Sequence, residues 1–225
     1  MSDFFNSNAY AGGIYDAKPF LKWVGGKTQL IRVINDVLPA DFSERPDVTY
    51  IEPFVGGGAV LFWILQRFPN ISRAVINDIN PDLTQAYRTI REKPSELIRC
   101  LQEIQREYLS LEDDEKRKEY YLRMRDRYNT KCLDPVENTS LFIFLNRTCF
   151  NGLYRVNSKG LFNVPFGRYP NPRICDEQTI MADSELLQRV EILTGDFEET
   201  LGYTSDNSFF LFRSTLQTFK PDILF

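Results

Sequence analysis

The stretch Tyr50–Gly58, Y-I-E-P-F-V-G-G-G, holds the residue types best suited to chemistry. Its three glycines let the backbone turn tightly and approach a ligand, because no Cβ stands in the way. Asp78 lies twenty positions beyond Gly58, the spacing at which a nucleotide-binding fold sets a carboxylate against ribose hydroxyls. The run lacks the third glycine of the dinucleotide pattern G-x-G-x-x-G, and no lysine follows the glycines to hold phosphate. The residues therefore point to a nucleoside-type cofactor without phosphates, with a glycine turn that only packs strand on helix as the alternative. Near the other end, Thr194-Gly195-Asp196-Phe197 puts a carboxylate and a ring at the end of an apolar run. Such a pair can hydrogen-bond an adenine amine and pack on its ring, or it can be an N-cap beside a core phenylalanine. Lys27 follows Gly25-Gly26 at a helix start, where a cation is unfavourable unless it meets an anion; a plainly solvated lysine is the alternative. Trp23, just before that turn, suits either a pocket wall or the core.

A different chemistry occupies residues 146–169, N-R-T-C-F-N-G-L-Y-R-V-N-S-K-G-L-F-N-V-P-F-G-R-Y. Aromatic, basic and amide side chains alternate around glycines, a mixture suited to phosphate and base contacts, with a plain β-subdomain whose aromatics are core as the alternative. Between Asn146 and Cys175 stand Arg147, Arg155, Lys159, Arg168 and Arg173, with no acidic residue among them. The formal net charge of −4 argues against nucleic acid, but a local basic patch outweighs the sum.

These residues need elements to hold them. Val48–Ile51, Arg73–Asn77, Val190–Leu193 and Ser208–Phe212 read as buried strands. Helical spacing covers Thr28–Val37, Ala59–Phe68 and Asp82–Ile90. The resulting βαβα order predicts an α/β sheet with its ligand at the carboxyl ends of the strands. The pattern changes at Lys93-Pro94-Ser95. Ser95 is the expected cap of a helix to about Leu109, followed by helices over Asp113–Tyr128 and Asn138–Asn146. Residues 146–169 read as β-hairpins turning at Asn151-Gly152, Lys159-Gly160 and Phe166-Gly167, and Asp183–Arg189 as a short helix.

The 225 residues suit one domain, or one domain with a sizeable insertion. There is no histidine, which excludes a His-containing zinc site and a Ser-His-Asp triad. The four cysteines form no C-x-x-C pair, and with no signal-peptide pattern they suggest a reducing cytoplasm. No apolar run reaches the length of a membrane span.

Five motifs occur together in one order: F-L-K-W-V-G-G-K, I-E-P-F-V-G-G-G, N-D-I-N, L-N-R-x-x-F-N-G-L-x-R-x-N-x-x-G-x-F-N-V-P-F-G-R-Y and G-D-F. In this the chain resembles the Dam-type (D12 class) adenine-specific DNA methyltransferases over about residues 18–212. The resemblance implies a Rossmann-like, S-adenosylmethionine-dependent methyltransferase sheet with an inserted, mainly helical DNA-recognition domain. Residues 1–17 would be a lead-in, 18–92 and 185–225 the cofactor domain, incomplete at its C-terminal end, and 93–184 the recognition domain. Trp23, Lys27, Glu52, Phe54, Gly56, Gly58, Asp78, Asp196 and Phe197 would hold S-adenosylmethionine. Of these, Asp78 would take the ribose hydroxyls, and Asp196 and Phe197 the adenine ring. Arg155 matches an arginine that reads guanine, and Phe150 an aromatic that inserts beside the target base. Arg147, Asn151, Asn157, Asn163 and Arg168 match phosphate or base-edge positions, and Leu153 and Pro165 would touch thymine methyls. The implied substrate is adenine in a G-A-T-C-like site of double-stranded DNA, flipped out before methyl transfer. A monomer is expected, with a cognate restriction endonuclease as a candidate partner. Two other classes compete: an NAD-linked oxidoreductase, disfavoured by the missing glycine, and a catalytically silent DNA-binding protein on the same scaffold.

The family's D-P-P-Y motif is expected at Arg213–Leu216, where this sequence reads R-S-T-L, and it occurs nowhere else. One allowed set of codons for Arg213–Phe225, read one base later, spells D-P-P-Y-K-P-L-N-P-I-S-S. A frameshift is thus preferred over a diverged tail, and no catalytic residue is assigned. The chain is expected not to methylate DNA.

Overall fold

The computed structural model describes residues 16–23, 25 and 27–212, with Lys27 and Thr28 described in backbone only. Arg213–Leu216 therefore lie outside the described residues. Val48–Glu52 (β1) is buried at Val48, Tyr50, Ile51 and Glu52, and the near-continuous apolar sequence requires cover on both faces. It pairs in parallel with Ile71–Asp78 (β2), aligning Ile51 with Val75 and Glu52 with Ile76. Val190–Thr194 (β3) extends the sheet beyond β2, aligning Val190 with Ala74, and Ser208–Phe210 (β4) lies on the far side of β1. The order β3-β2-β1-β4 reverses direction at β1, so the loop after β1 borders the crevice where such sheets bind ligands.

Helix Ala59–Arg67 (α2, counting Ile31–Val37 as α1) follows the glycine loop and turns Val60, Leu61, Ile64 and Leu65 into the core. Lys27–Leu30, read as the first turn of α1, is a 3₁₀ turn ahead of it. Pro81–Glu92 (α3) is started by Asn80, whose side chain accepts from the backbone N–H of Asp82 and Leu83, with Pro81 at the first helical position.

Three helices then form the insertion. Pro94–Leu109 (α4), Asp114–Tyr128 (α5) and Pro135–Thr148 (α6) meet over a cluster of rings in which Tyr108, Tyr120 and Tyr121 all pack on Phe144. Ser95 is not the cap of α4: the helix begins at Pro94, and Lys93 stands at the cap without a side-chain bond. Helix α6 starts three residues before the expected Asn138, because Asp134 accepts from the N–H groups of Val136 and Glu137. Glu177–Leu187 (α7) likewise starts earlier than Asp183, capped by Asp176 on the N–H of Thr179. The expected boundary between residues 184 and 185 therefore cuts a continuous helix that packs on α3. Strand β4 ends at Phe210 rather than Phe212.

One hairpin is found where several were expected. Val156 and Phe162 face each other antiparallel, and the Asn157 side chain accepts from the N–H of Lys159 and Leu161 to close the turn. The other turns are a 3₁₀ segment at Phe150–Gly152 and a lone bridge between Cys149 and Phe166. No helix among the described residues is long and apolar enough to cross a membrane.

Candidate cofactor site and nucleic-acid interface

Asp78 organises the carboxyl end of the sheet. One of its oxygens accepts from the Gly56 N–H at 3.1 Å and the other from the Asn80 N–H at 2.9 Å. The carboxylate thus fixes the glycine loop and the start of α3 while staying partly exposed. Its neighbour Asn77 is buried and was not singled out in sequence. The Asn77 Nδ2 donates to the carbonyls of Pro53, Gly195 and Asp196 at 3.2, 3.0 and 3.4 Å. It holds the loop after β1 to the loop after β3, and its Oδ1 is buried without a partner among the described residues.

The glycine loop also needs its glycines. Gly56 and Gly58 take positive φ, 53° and 77°. A Cβ on Gly58 would stand 2.5 Å from the Tyr87 hydroxyl, which donates to the Gly56 carbonyl at 2.9 Å. Burial raises the Tyr87 pKa, helped by the carboxylates of Glu52, Asp183 and Asp78, so the phenol stays protonated as a donor. A Cβ on Gly56 or Gly57 would come within 3.1 or 3.0 Å of Trp23, so the loop rests directly on that indole. Glu52 is fully buried and accepts from the Tyr50 hydroxyl at 2.8 Å.

Asp196 caps a 3₁₀ helix, Phe197–Tyr203, through the N–H of Glu198, which answers one half of the sequence alternative. Phe197 is not core, being 38% exposed, and its ring lies 5.9 Å from that of Phe54. The structure therefore brings together Trp23, Phe54, Gly56, Gly58, Asp78, Asp196 and Phe197 at one end of the sheet, with Glu52 beneath. The backbone of Lys27 opens the 3₁₀ turn before α1.

The sequence-predicted DNA residues divide into two groups. Phe150 is 53% exposed, and Asn151, Arg155, Asn157, Pro165 and Arg168 are exposed as well. Asn151 and Arg168 both hold positive φ, 56° and 53°. Arg155 donates from Nε and Nη2 to the side-chain and backbone oxygens of Asn163, which sets the plane of its guanidinium. The second group faces inward. The Arg147 Nη2 donates to the Phe20 carbonyl at 2.7 Å, its Nε is buried without a partner among the described residues, and desolvation lowers its pKa. Leu153 is half-buried against the core. Next to Arg147, Asn146, which is not one of the expected DNA contacts, accepts from the Lys22 N–H and donates to the carbonyls of Lys22 and Gly152. Asn146 and Arg147 therefore have distant structural partners that local sequence could not reveal, whereas Asn157 is occupied within its own turn.

Tyr154, beside Arg155, was not singled out either. Its ring stacks on Trp23 at 5.4 Å, and its hydroxyl donates to Asp82 on α3 at 3.1 Å. Asp82 also accepts from the Tyr128 hydroxyl at 2.6 Å, the Lys131 ammonium at 3.1 Å and Asn138 at 3.4 Å. Desolvation alone would raise the Asp82 pKa. The bonds from Tyr128, Lys131 and Asn138, with the Lys131 charge, outweigh it and hold the carboxyl below its usual range.

A parallel α/β sheet with a carboxylate-tied glycine loop, interrupted by helices that carry a basic and aromatic segment, defines a class: an open α/β fold of the methyltransferase type with a helical insertion. The chain belongs to the D12 class N6 adenine-specific DNA methyltransferase family, whose model matches residues 23–212. It is 50% identical over 200 residues to the type II methyltransferase M.MjaIII of Methanocaldococcus jannaschii, covering 88% of this chain and 68% of the relative. It is 39% identical to the type II methyltransferase M1.LlaDCHI of Lactococcus lactis subsp. cremoris, covering 87% and 64%. To the DNA adenine methylase of Haemophilus influenzae the identity is 34%, covering 85% and 61%. The chain thus spans about two thirds of the length of these relatives.

Proposed function

We propose that this chain is the cofactor-binding and target-reading part of a DNA adenine-N6 methyltransferase, and that as written it binds S-adenosylmethionine and duplex DNA without transferring methyl. The observation that carries the reading is the joining of Asp78, the glycine loop and the Asp196-Phe197 turn at one sheet end, within a chain of this family. The donor set fits the cofactor. Asp78 and Asp196 are carboxylates, which repel phosphate and accept from hydroxyl and amine groups. Exposed Phe197 and the nearby Phe54 offer π surface to a base. Asp78 would hold the ribose hydroxyls while keeping the Gly56 loop closed, and Trp23 would support that loop from below.

Bound S-adenosylmethionine supplies an electrophilic methyl group. The protein's task is to orient the adenine amine toward it, so catalysis rests on positioning and charge placement. In this reading Phe150 fills the gap left by the flipped base. Arg155 reads a guanine through a guanidinium already oriented by Asn163. Asn151 and Arg168 contact the backbone of the duplex. The names of two relatives as type II methyltransferases make a cognate restriction endonuclease a partner to test.

The amine's own acceptors would come from D-P-P-Y, which R-S-T-L replaces at Arg213–Leu216. Calorimetry with S-adenosylmethionine and with duplexes containing G-A-T-C should show both binding, while a radiolabelled-methyl assay should show no transfer. Sequencing the gene around the Arg213 codon should reveal the neighbouring D-P-P-Y frame. Binding of NAD instead of S-adenosylmethionine would refute the reading of the site. Methyl transfer by the purified 225-residue chain would refute the silent tail.

A further inference from the structure

The recognition segment is joined to the cofactor loop through the stretch Phe20–Trp23. Three contacts make the joint: Arg147 to the Phe20 carbonyl, Asn146 to both backbone groups of Lys22, and Tyr154 stacked on Trp23. The packing at the joint is close. A Cβ on Gly152 would stand 2.5 Å from the Lys22 side chain, while Trp23 on its other side lies against Gly56 and Gly57. The residue at the centre is Tyr154. Its hydroxyl is anchored to Asp82 at the start of α3, only four residues from Asp78. Its ring lies under the indole that supports the glycine loop, and its backbone continues directly into Arg155.

We propose that Tyr154 is a positioning residue that couples DNA recognition to cofactor binding, by setting the Trp23 ring and through it the Gly56-Gly57 backbone. The inference rests on the function proposed above. Tightly packed contacts move as units rather than deform gradually, so a shift of the Arg155 hairpin on DNA reaches the glycine loop through two stacked rings. Coupling of this kind is reciprocal, so duplex DNA changes the affinity for S-adenosylmethionine by the same factor as the cofactor changes that for DNA.

The test is calorimetry of S-adenosylmethionine binding to the full chain, with and without a duplex carrying G-A-T-C. The wild-type chain should show a coupling factor of about fivefold or more. Tyr154→Leu, which removes the ring, should bring the factor to near one. Tyr154→Phe, which keeps the stack but frees it from Asp82, should give an intermediate factor with cofactor affinity in the absence of DNA little changed. The chain has only two tryptophans, Trp23 and Trp63, so Trp63→Phe leaves Trp23 as the sole indole reporter. Its emission should shift on adding duplex, and that shift should be lost when Tyr154→Leu is added. A coupling factor that is absent in the wild type, or unchanged in both variants, overturns the proposal. Failure to bind S-adenosylmethionine or duplex at all refutes instead the function on which it rests.

Discussion

Gly58 and Asp78 show how single residues shape the loop at the end of the sheet. An alanine at Gly58 meets both a left-handed backbone, which costs about 1–2 kcal/mol, and overpacking against Tyr87 and Phe62, which adds roughly 1–3 kcal/mol. Gly58→Ala should therefore lower the urea midpoint markedly. Adding Tyr87→Phe, which removes the hydroxyl that the new methyl meets at 2.5 Å, should recover only part of the steric loss, since Phe62 stays within 3.0 Å and the hydrogen bond to the Gly56 carbonyl is lost. Asp78 has two tasks, and its variants should separate them. Asp78→Ala should weaken S-adenosylmethionine binding by about 1–3 kcal/mol and also destabilise the fold, since the Gly56 and Asn80 N–H groups lose their acceptor. Asp78→Asn keeps one acceptor oxygen and should retain more of the stability than of the cofactor affinity. Equal losses in both measurements, by calorimetry and by urea titration, would remove Asp78 from the cofactor site.

Between elements, Asp82 is a polar tie from the inserted helices to α3. It sits on the first turn of α3 and receives donors from α5, from α6 and from the residue before the hairpin's Arg155. Because its folded pKa is depressed, it adds stability that is present above the unfolded carboxyl value of about 4 and is lost as pH falls through the lower folded value. Acid titration of stability should thus show a loss below about pH 4 that Asp82→Asn reduces, alongside a lower stability of that variant at neutral pH. Much of this architecture was legible in the sequence. The strands were found because β-branched and aromatic runs require two-sided burial, and α2 and α3 because their apolar spacing is regular. The starts of α6 and α7 were missed although Asp134-Pro135 and Asp176 carry ordinary capping chemistry. The roles of Asn146, Arg147 and Tyr154 were not legible. An amide, a guanidinium or a phenol shows its type in sequence, but its partner is chosen by tertiary packing.

For the whole molecule, the decisive contrast is between a net charge of −4 and a segment, 150–168, that exposes Arg155, Lys159 and Arg168 and contains no acidic residue. Arg168→Ala should weaken binding to all duplexes alike and reduce the salt slope by about one unit. Arg155→Ala should instead flatten preference at one guanine by roughly 1–3 kcal/mol. Equal losses on matched and scrambled duplexes for Arg155→Ala would place it among the phosphate contacts.

The strand order has a consequence in time. Strands β1 and β2 are close neighbours in the chain, but Ala74 must find Val190 from more than a hundred residues away. Closing so long a connection carries an entropic cost that slows folding unless the intervening chain is already compact. The helices between them are rich in local contacts and can collapse early, which shortens the effective separation. The half-sheet β1-β2 and the helical module should therefore gain hydrogen-exchange protection first, with β3 and the Asp196 turn following. The β3 side of the pocket would then mature after the Asp78 side, and until it does, the edge of β2 awaiting β3 is open to pairing with other chains.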